Sequence, residues 1–110
     1  MTVDVGAQMR KGVVEYCVLG LLSREPMYGW QLADALTAPG LIASIGTLYP
    51  LLGRLRDNGW VTTFERPSGT GPVRRYYRLT DAGVGQLALF RTQWRPFAQT
   101  VSHLVGEETS

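Results

Sequence analysis

The chain has 110 residues, 45% of them apolar and 18% charged, a composition that supports one compact domain and excludes a disordered chain. Its single cysteine excludes an intrachain disulfide and any cysteine-cluster metal site. The net charge of +2 is unevenly placed: from Ser44 to Leu79 six arginines oppose two acids for a net of +4, while the other residues carry −2, so positive charge gathers in one segment as a phosphate-binding footprint requires.

No secretory signal is visible in Met1 to Arg10, and no apolar run reaches membrane-spanning length, so a cytoplasmic protein without membrane association is expected. Residues 1–9 read as a flexible tail. From Arg10 to Ser23, Val13, Val14, Cys17, Val18, Leu21 and Leu22 repeat on one face at the 3.6 period of a helix. Cys17 falls inside that stripe and is expected as a small buried hydrophobe. After Pro26 a short second helix runs from Tyr28 to Leu36, burying Leu32, Ala33 and Leu36, and Ala38-Pro39-Gly40 stops it.

A third helix covers Ser44 to Asn58, with Ile45, Leu48, Leu52 and Leu55 inward and Asn58-Gly59 closing it through a left-handed glycine. Its start has two solutions. With Ser44 as cap, Pro50 lies inside and removes one helical hydrogen bond; with Thr47 as cap, Pro50 falls harmlessly in the first turn. Two strand-like runs follow, Trp60 to Arg66 and Val73 to Leu79, joined by the glycine- and proline-rich segment 67–72 as a hairpin. One of Tyr76 and Tyr77 should pack under this hairpin. Thr80 and Asp81 then suit the start of a last helix, to Val105, as cap and as first-turn acid.

Three helices, a two-stranded hairpin and a long helix define the expected fold class: α+β, mainly α, a winged helix-turn-helix over residues 10–79 with a C-terminal dimerisation helix over 80–105 and a flexible tail over 106–110. In such a module the third helix lies in the major groove. Ser44, Thr47, Tyr49 and Arg54 are its outward groups able to meet base edges and phosphates, and Arg66, Arg74 and Arg75 supply charge from the wing.

Three motifs in order resemble the PadR family of transcriptional regulators, over about residues 11 to 85. They are Pro26-Met27-Tyr28-Gly29-Trp30-Gln31-Leu32 in the second helix and Gly46-Thr47-Leu48-Tyr49-Pro50-Leu51-Leu52-Gly53-Arg54-Leu55 with Asn58-Gly59-Trp60-Val61 in the third. The last is Gly71-Pro72-Val73-Arg74-Arg75-Tyr76-Tyr77-Arg78-Leu79-Thr80-Asp81-Ala82-Gly83 in the wing. One position departs from the family: Gly53 stands where these proteins often carry Lys or Arg. The resemblance implies a repressor that binds double-stranded operator DNA and ends in a single dimerisation helix, as the short-tailed members do.

In the last helix Leu87, Phe90, Trp94, Phe97, Val101 and Leu104 are spaced 3, 4, 3, 4, 3, an a/d seam suited to a second helix. With Val14 and Val18 they form the expected homodimer interface, and Pro96 should bend the helix near Thr92. A two-fold axis would set two recognition helices about 34 Å apart on an inverted-repeat operator. Some proteins of the resembling family hold flat aromatic ligands between tryptophans at the dimer interface, which implies Trp94 and Phe97 as the site of a planar hydrophobic effector.

No cofactor is expected and no enzyme: His103 is the only histidine, and no nucleophile, base and orienting acid assemble at a recognisable spacing. The alternative to a DNA-binding regulator is a winged helix that serves only as a protein-interaction module, and the arginine-rich wing argues against it.

Overall fold

The computed structural model describes residues 5–106, in which helices α1 (Val5–Arg10), α2 (Val14–Leu22), α3 (Gly29–Thr37), α4 (Ile45–Asp57) and α5 (Asp81–Leu104) alternate with strands β1 (Met27–Tyr28), β2 (Val61–Arg66) and β3 (Arg74–Leu79). The strands form one antiparallel sheet in the order β1-β3-β2. This is the expected winged helix-turn-helix, mainly helical, with a long C-terminal helix.

Two boundaries differ from the sequence expectation. The helix expected from Arg10 to Ser23 is broken at Gly12, whose φ of 83° is incompatible with continuing a right-handed helix. Residues 5–9, expected within a flexible tail, form with Arg10 the separate α1, which buries none of its residues. The other expected tail residues, 1–4 and 107–110, lie outside the described residues. A second difference is β1, too short to show alternation in the sequence. It exists because Met27 and Tyr28 pair with Tyr77 and Tyr76 of β3, an interaction supplied from fifty residues away.

The core joins Val14, Val18, Leu19 and Leu22 of α2 to Leu32, Ala33 and Leu36 of α3, to Leu48, Leu51, Leu52 and Leu55 of α4, and to Val61, Tyr77 and Leu87. Tyr77 is thus the tyrosine that packs under the wing. Cys17 is only half-buried at the edge of this core, and the burial it has pushes its thiol above the ordinary value, which keeps it protonated and unreactive near neutral pH.

Helix α4 starts at Ser44, which settles the open boundary: Ser44 occupies the cap position with extended backbone, and the Thr47 hydroxyl donates to its carbonyl at 2.8 Å. Pro50 therefore lies inside the helix, where it has no N–H to give the Gly46 carbonyl. At the other end, Gly59 N–H donates to Arg56 O and Trp60 N–H to Leu55 O, the paired bonds of a Schellman closure.

The junction from wing to α5 is tightly built. Thr80 Oγ1 donates to Gly59 O at 2.6 Å and accepts from Gly83 N–H at 3.0 Å, so one hydroxyl caps α5 and ties it to the end of α4. A side chain at Gly83 would place its Cβ 2.0 Å from the Trp60 carbonyl oxygen, so only glycine allows this approach. Beyond the junction α5 runs unbroken through Pro96 to Leu104.

Candidate nucleic-acid interface

With Leu48, Leu51, Leu52 and Leu55 buried, α4 presents two flanks on either side of its outward ridge, and the sequence alone does not say which one meets the wing. The structure divides them. Tyr49, Gly53 and Arg56 lie three to four residues apart and face the sheet, while Thr47 and Arg54 face α1 and α2.

On the wing side a cleft of about 460 Å³ is framed by Tyr28, Trp30, Tyr49, Arg56, Arg74 and Arg75. None of its lining residues is acidic. Strand β1 builds one wall, because pairing with β3 brings Tyr28 beside the wing and starts α3 immediately after it. Gln31 Oε1 accepts from Tyr28 N–H at 3.0 Å and fixes that start. Gly29 lets the Tyr49 ring lie close over the first turn of α3; its hydroxyl sits 3.1 Å from where a Cβ would be. Arg75 enters from β3, on the same face as Tyr77 and opposite Glu65. Arg74 leans over the Tyr28 ring, its guanidinium 4.5 Å from the ring centre. Trp30 is 60% exposed, an aromatic with no role in the core.

On the far flank Arg54 is already engaged. Its Nε donates to Glu15 Oε1 at 3.0 Å, an ion pair between α4 and α2. Thr47 borders the same groove, which also holds Arg10 and Lys11. Of the residues expected at a DNA surface, Tyr49, Arg74 and Arg75 therefore come together in the cleft. Ser44, Thr47 and Arg54 are exposed on or beside α4 but outside it. Arg66 is also outside the cleft: its guanidinium lies over Tyr76, 4.6 Å from the ring centre, on the opposite face of the sheet.

Sequence reasoning missed Arg56, Trp30 and Tyr28 as cleft residues. Arg56 shares a flank with Tyr49 at i+7, a visible signal, but choosing that flank over the one with Arg54 needs the position of the wing. Trp30 and Tyr28 reach the cleft through the β1 pairing.

The expected subunit seam separates into two groups. Val18 has no exposed surface, and Val14 and Leu87 are buried in the chain's own core, so these three are not available to a partner. They belong to the head because α2 is central to it. Phe90 is half-buried, stacked on Tyr16 at 4.3 Å between ring centres. Trp94, Phe97, Val101 and Leu104 are exposed, and Trp94 stacks on Phe90 at 5.4 Å. Val13, Phe90, Gln93, Trp94 and Phe97 enclose a shallow hollow of about 220 Å³.

Among the described residues no cluster of His, Cys, Asp and Glu could hold a metal ion, and no helix is long and apolar enough to cross a membrane.

The transcriptional regulator PadR-like family model matches residues 18–89. The chain is 31% identical to the transcriptional regulator Rv3488 of Mycobacterium tuberculosis over 106 residues, covering 93% of this chain and 98% of that protein. It is 28% identical over 92 residues to the negative transcriptional regulator PadR of Bacillus subtilis, covering 81% of this chain and about half, 50%, of that protein's length. Among solved structures, a PadR-like transcriptional regulator of Bacillus cereus superposes with a TM-score of 0.81 at 38% identity, over 92% of this chain and 99% of that one. Bacillus subtilis PadR in complex with operator DNA superposes with a TM-score of 0.64 at 28% identity, over 71% of this chain and 46% of that one. The chain belongs to the PadR-like family of transcriptional regulators, whose members are regulators of transcription and not enzymes.

Proposed function

We propose that this protein is a cytoplasmic homodimeric repressor that binds an inverted-repeat operator in double-stranded DNA. Helix α4 enters the major groove, with Ser44, Thr47 and Tyr49 toward bases and phosphates. Arg56, Arg74 and Arg75 neutralise the backbone that passes between α4 and the wing. The observation that carries this reading is the cleft itself: three arginines and three exposed or half-exposed aromatic side chains, without one acid, beside the outward face of α4. The operator-bound relative shares the fold over 71% of this chain.

Dimerisation is supported by surface that a single copy leaves uncovered. The chain exposes 7724 Å², where a compact 12.2 kDa monomer exposes about 6,100 Å². Trp94, Phe97, Val101 and Leu104 form an apolar stripe of helical spacing that a single copy leaves exposed. Two copies joined along α5 set the two α4 helices on successive turns of one groove, and repression follows from blocking polymerase there. Effector control fits the same seam: doubling the hollow at Trp94 and Phe97 across a two-fold axis makes an aromatic slot for a planar hydrophobic molecule. Such a molecule relieves repression if it favours a spacing of the heads that the operator does not accept.

The test is selection of binding sites from a random duplex pool, followed by titration of the selected site at several salt concentrations. The wild-type protein should recover an inverted repeat. The Arg74→Ala/Arg75→Ala variant should bind it more weakly and with a log–log salt slope lower by about two per protomer, at about 0.9 per phosphate contact. Recovery of no sequence, or an unchanged slope, overturns the reading.

A further inference from the structure

Strand alternation gives the wing sheet two faces, and the proposed operator contact uses the one turned toward α4, with Arg74 and Tyr28 reaching it from the border of the other. That other face carries three aromatic rings and three arginines. Tyr28, Tyr76 and Phe64 form a row across all three strands, with ring centres 5.4 Å apart for the first pair and 5.5 Å for the second. The guanidiniums lie on these rings: Arg66 on Tyr76 at 4.6 Å, Arg78 on Phe64 at 5.1 Å and Arg74 on Tyr28 at 4.5 Å.

None of the three arginines makes an ion pair among the described residues. The one acid of the strands, Glu65, sits opposite Arg75 and so belongs to the other face. Three like charges are therefore held on one small face with no counter-charge on its strands. A guanidinium held over a ring face keeps its N–H groups as donors, and none of these three gives them to a carboxylate among the described residues. That geometry selects the occupant. Nucleobases would have to displace the guanidiniums to reach the rings, whereas phosphate oxygens accept from those N–H groups directly.

We propose that this outer sheet face is a second phosphate-binding surface, which takes the backbone of duplex DNA flanking the half-site held by α4 and the cleft. Arg74 links the two, since it lines the cleft and stacks on Tyr28 at the border of the outer face. The proposal rests on the reading of α4 and the cleft as the operator contact, and Arg66 and Arg78 are the residues that belong to the outer face alone.

The experiment compares two duplexes carrying a site selected by the wild-type protein, one trimmed to the inverted repeat and one extended by about one helical turn at each end. On the extended duplex the wild-type salt slope should be steeper by about two per protomer, at about 0.9 per phosphate. The Arg66→Gln/Arg78→Gln variant should lose that increment and match the wild type on the trimmed duplex within about twofold. The Arg66→Lys/Arg78→Lys variant, which keeps the charge, should retain most of the increment. Thermal melting of all three proteins reports folding. Equal wild-type slopes on both duplexes, or a glutamine variant that keeps the increment, overturn this proposal and leave the operator reading standing. Unchanged slopes with binding of poly-glutamate that the glutamine variant loses would reassign the face to an acidic polypeptide and likewise overturn it. A wild-type protein that selects no site takes down the operator reading, and this one with it.

Discussion

The head and the far half of α5 have similar apolar content and opposite fates. In the head, leucines from α2, α3 and α4 interlock, and fourteen residues including Leu87 form one closed core. After Leu87, α5 continues for seventeen residues to Leu104 without burying any of them, although Trp94, Phe97, Val101 and Leu104 fall on one face. The radius of gyration, 16.1 Å, exceeds the roughly 13 Å expected of a compact chain this long, and the far half of α5, which buries none of its residues, contributes to it. In the proposed dimer, an apolar face that its own chain does not cover marks the part of the molecule whose stability should depend on concentration. The head should be stable by itself, and the far half of α5 only in company.

The sharpest way to break this comparison is to truncate one large side chain in each region. Leu52→Ala opens a cavity in a site 1% exposed and should cost about 2–5 kcal/mol, read as a lower urea midpoint at any protein concentration. Phe97→Ala should leave the midpoint of dilute monomer unchanged and lower it only where wild-type protein is dimeric. An equal loss from both substitutions in dilute solution would mean that α5 has a partner within its own chain.

Next in size comes assembly. Trp94→Glu/Val101→Glu places charges on the apolar stripe while leaving the core intact. Sedimentation should then show monomers, and affinity for an inverted repeat should fall about 10²-fold or more, because the second head loses the effective concentration that tethering gives it. A variant that remains dimeric would move the seam elsewhere.

How much of this was legible beforehand follows the same division. Periods of 3.6 residues located α2, α3 and α4, and the Schellman glycine, the Thr80 cap and the β-branched and aromatic runs located the ends of α4, the start of α5 and the wing, since each signal is local. Two kinds of feature were not. Long-range pairing created β1 and carried Tyr28 and Trp30 to the cleft, and no window around residue 28 contains β3. Helix phase puts Arg54 and Arg56 on opposite flanks, a distinction the sequence reading did not draw, and which flank faces the wing is a tertiary fact. The same holds for α2: an apolar stripe of Val14 and Val18 reads equally as core or as seam, and only burial in the folded head separates them.

A smaller effect tests the joint between the two regions. Thr80→Ala removes both the cap on Gly83 N–H and the bond to Gly59 O, and should cost about 1–2 kcal/mol in thermal or urea unfolding. Because α5 is anchored to α4 here, the loss should also loosen the angle between head and helix, seen as faster amide exchange at residues 80–84 than in the Leu52 variant. Stability lost without that local exchange would show that the hydroxyl caps the helix and does nothing to set its direction.

The smallest expected change in stability comes from the flank of α4 that faces away from the wing. Arg54 and Glu15 are 60% and 23% exposed at their side chains, so their ion pair contributes at most about 1 kcal/mol, and Glu15→Gln should barely shift unfolding. DNA binding should respond in the opposite direction. With the carboxylate neutral, Arg54 is released to meet a phosphate, which should tighten binding and raise the log–log salt slope by about 0.9 per protomer. Weaker binding instead would mean that Glu15 positions α4 through Arg54 and that this flank works as scaffold, leaving the wing-side cleft as the only charged contact the recognition helix makes.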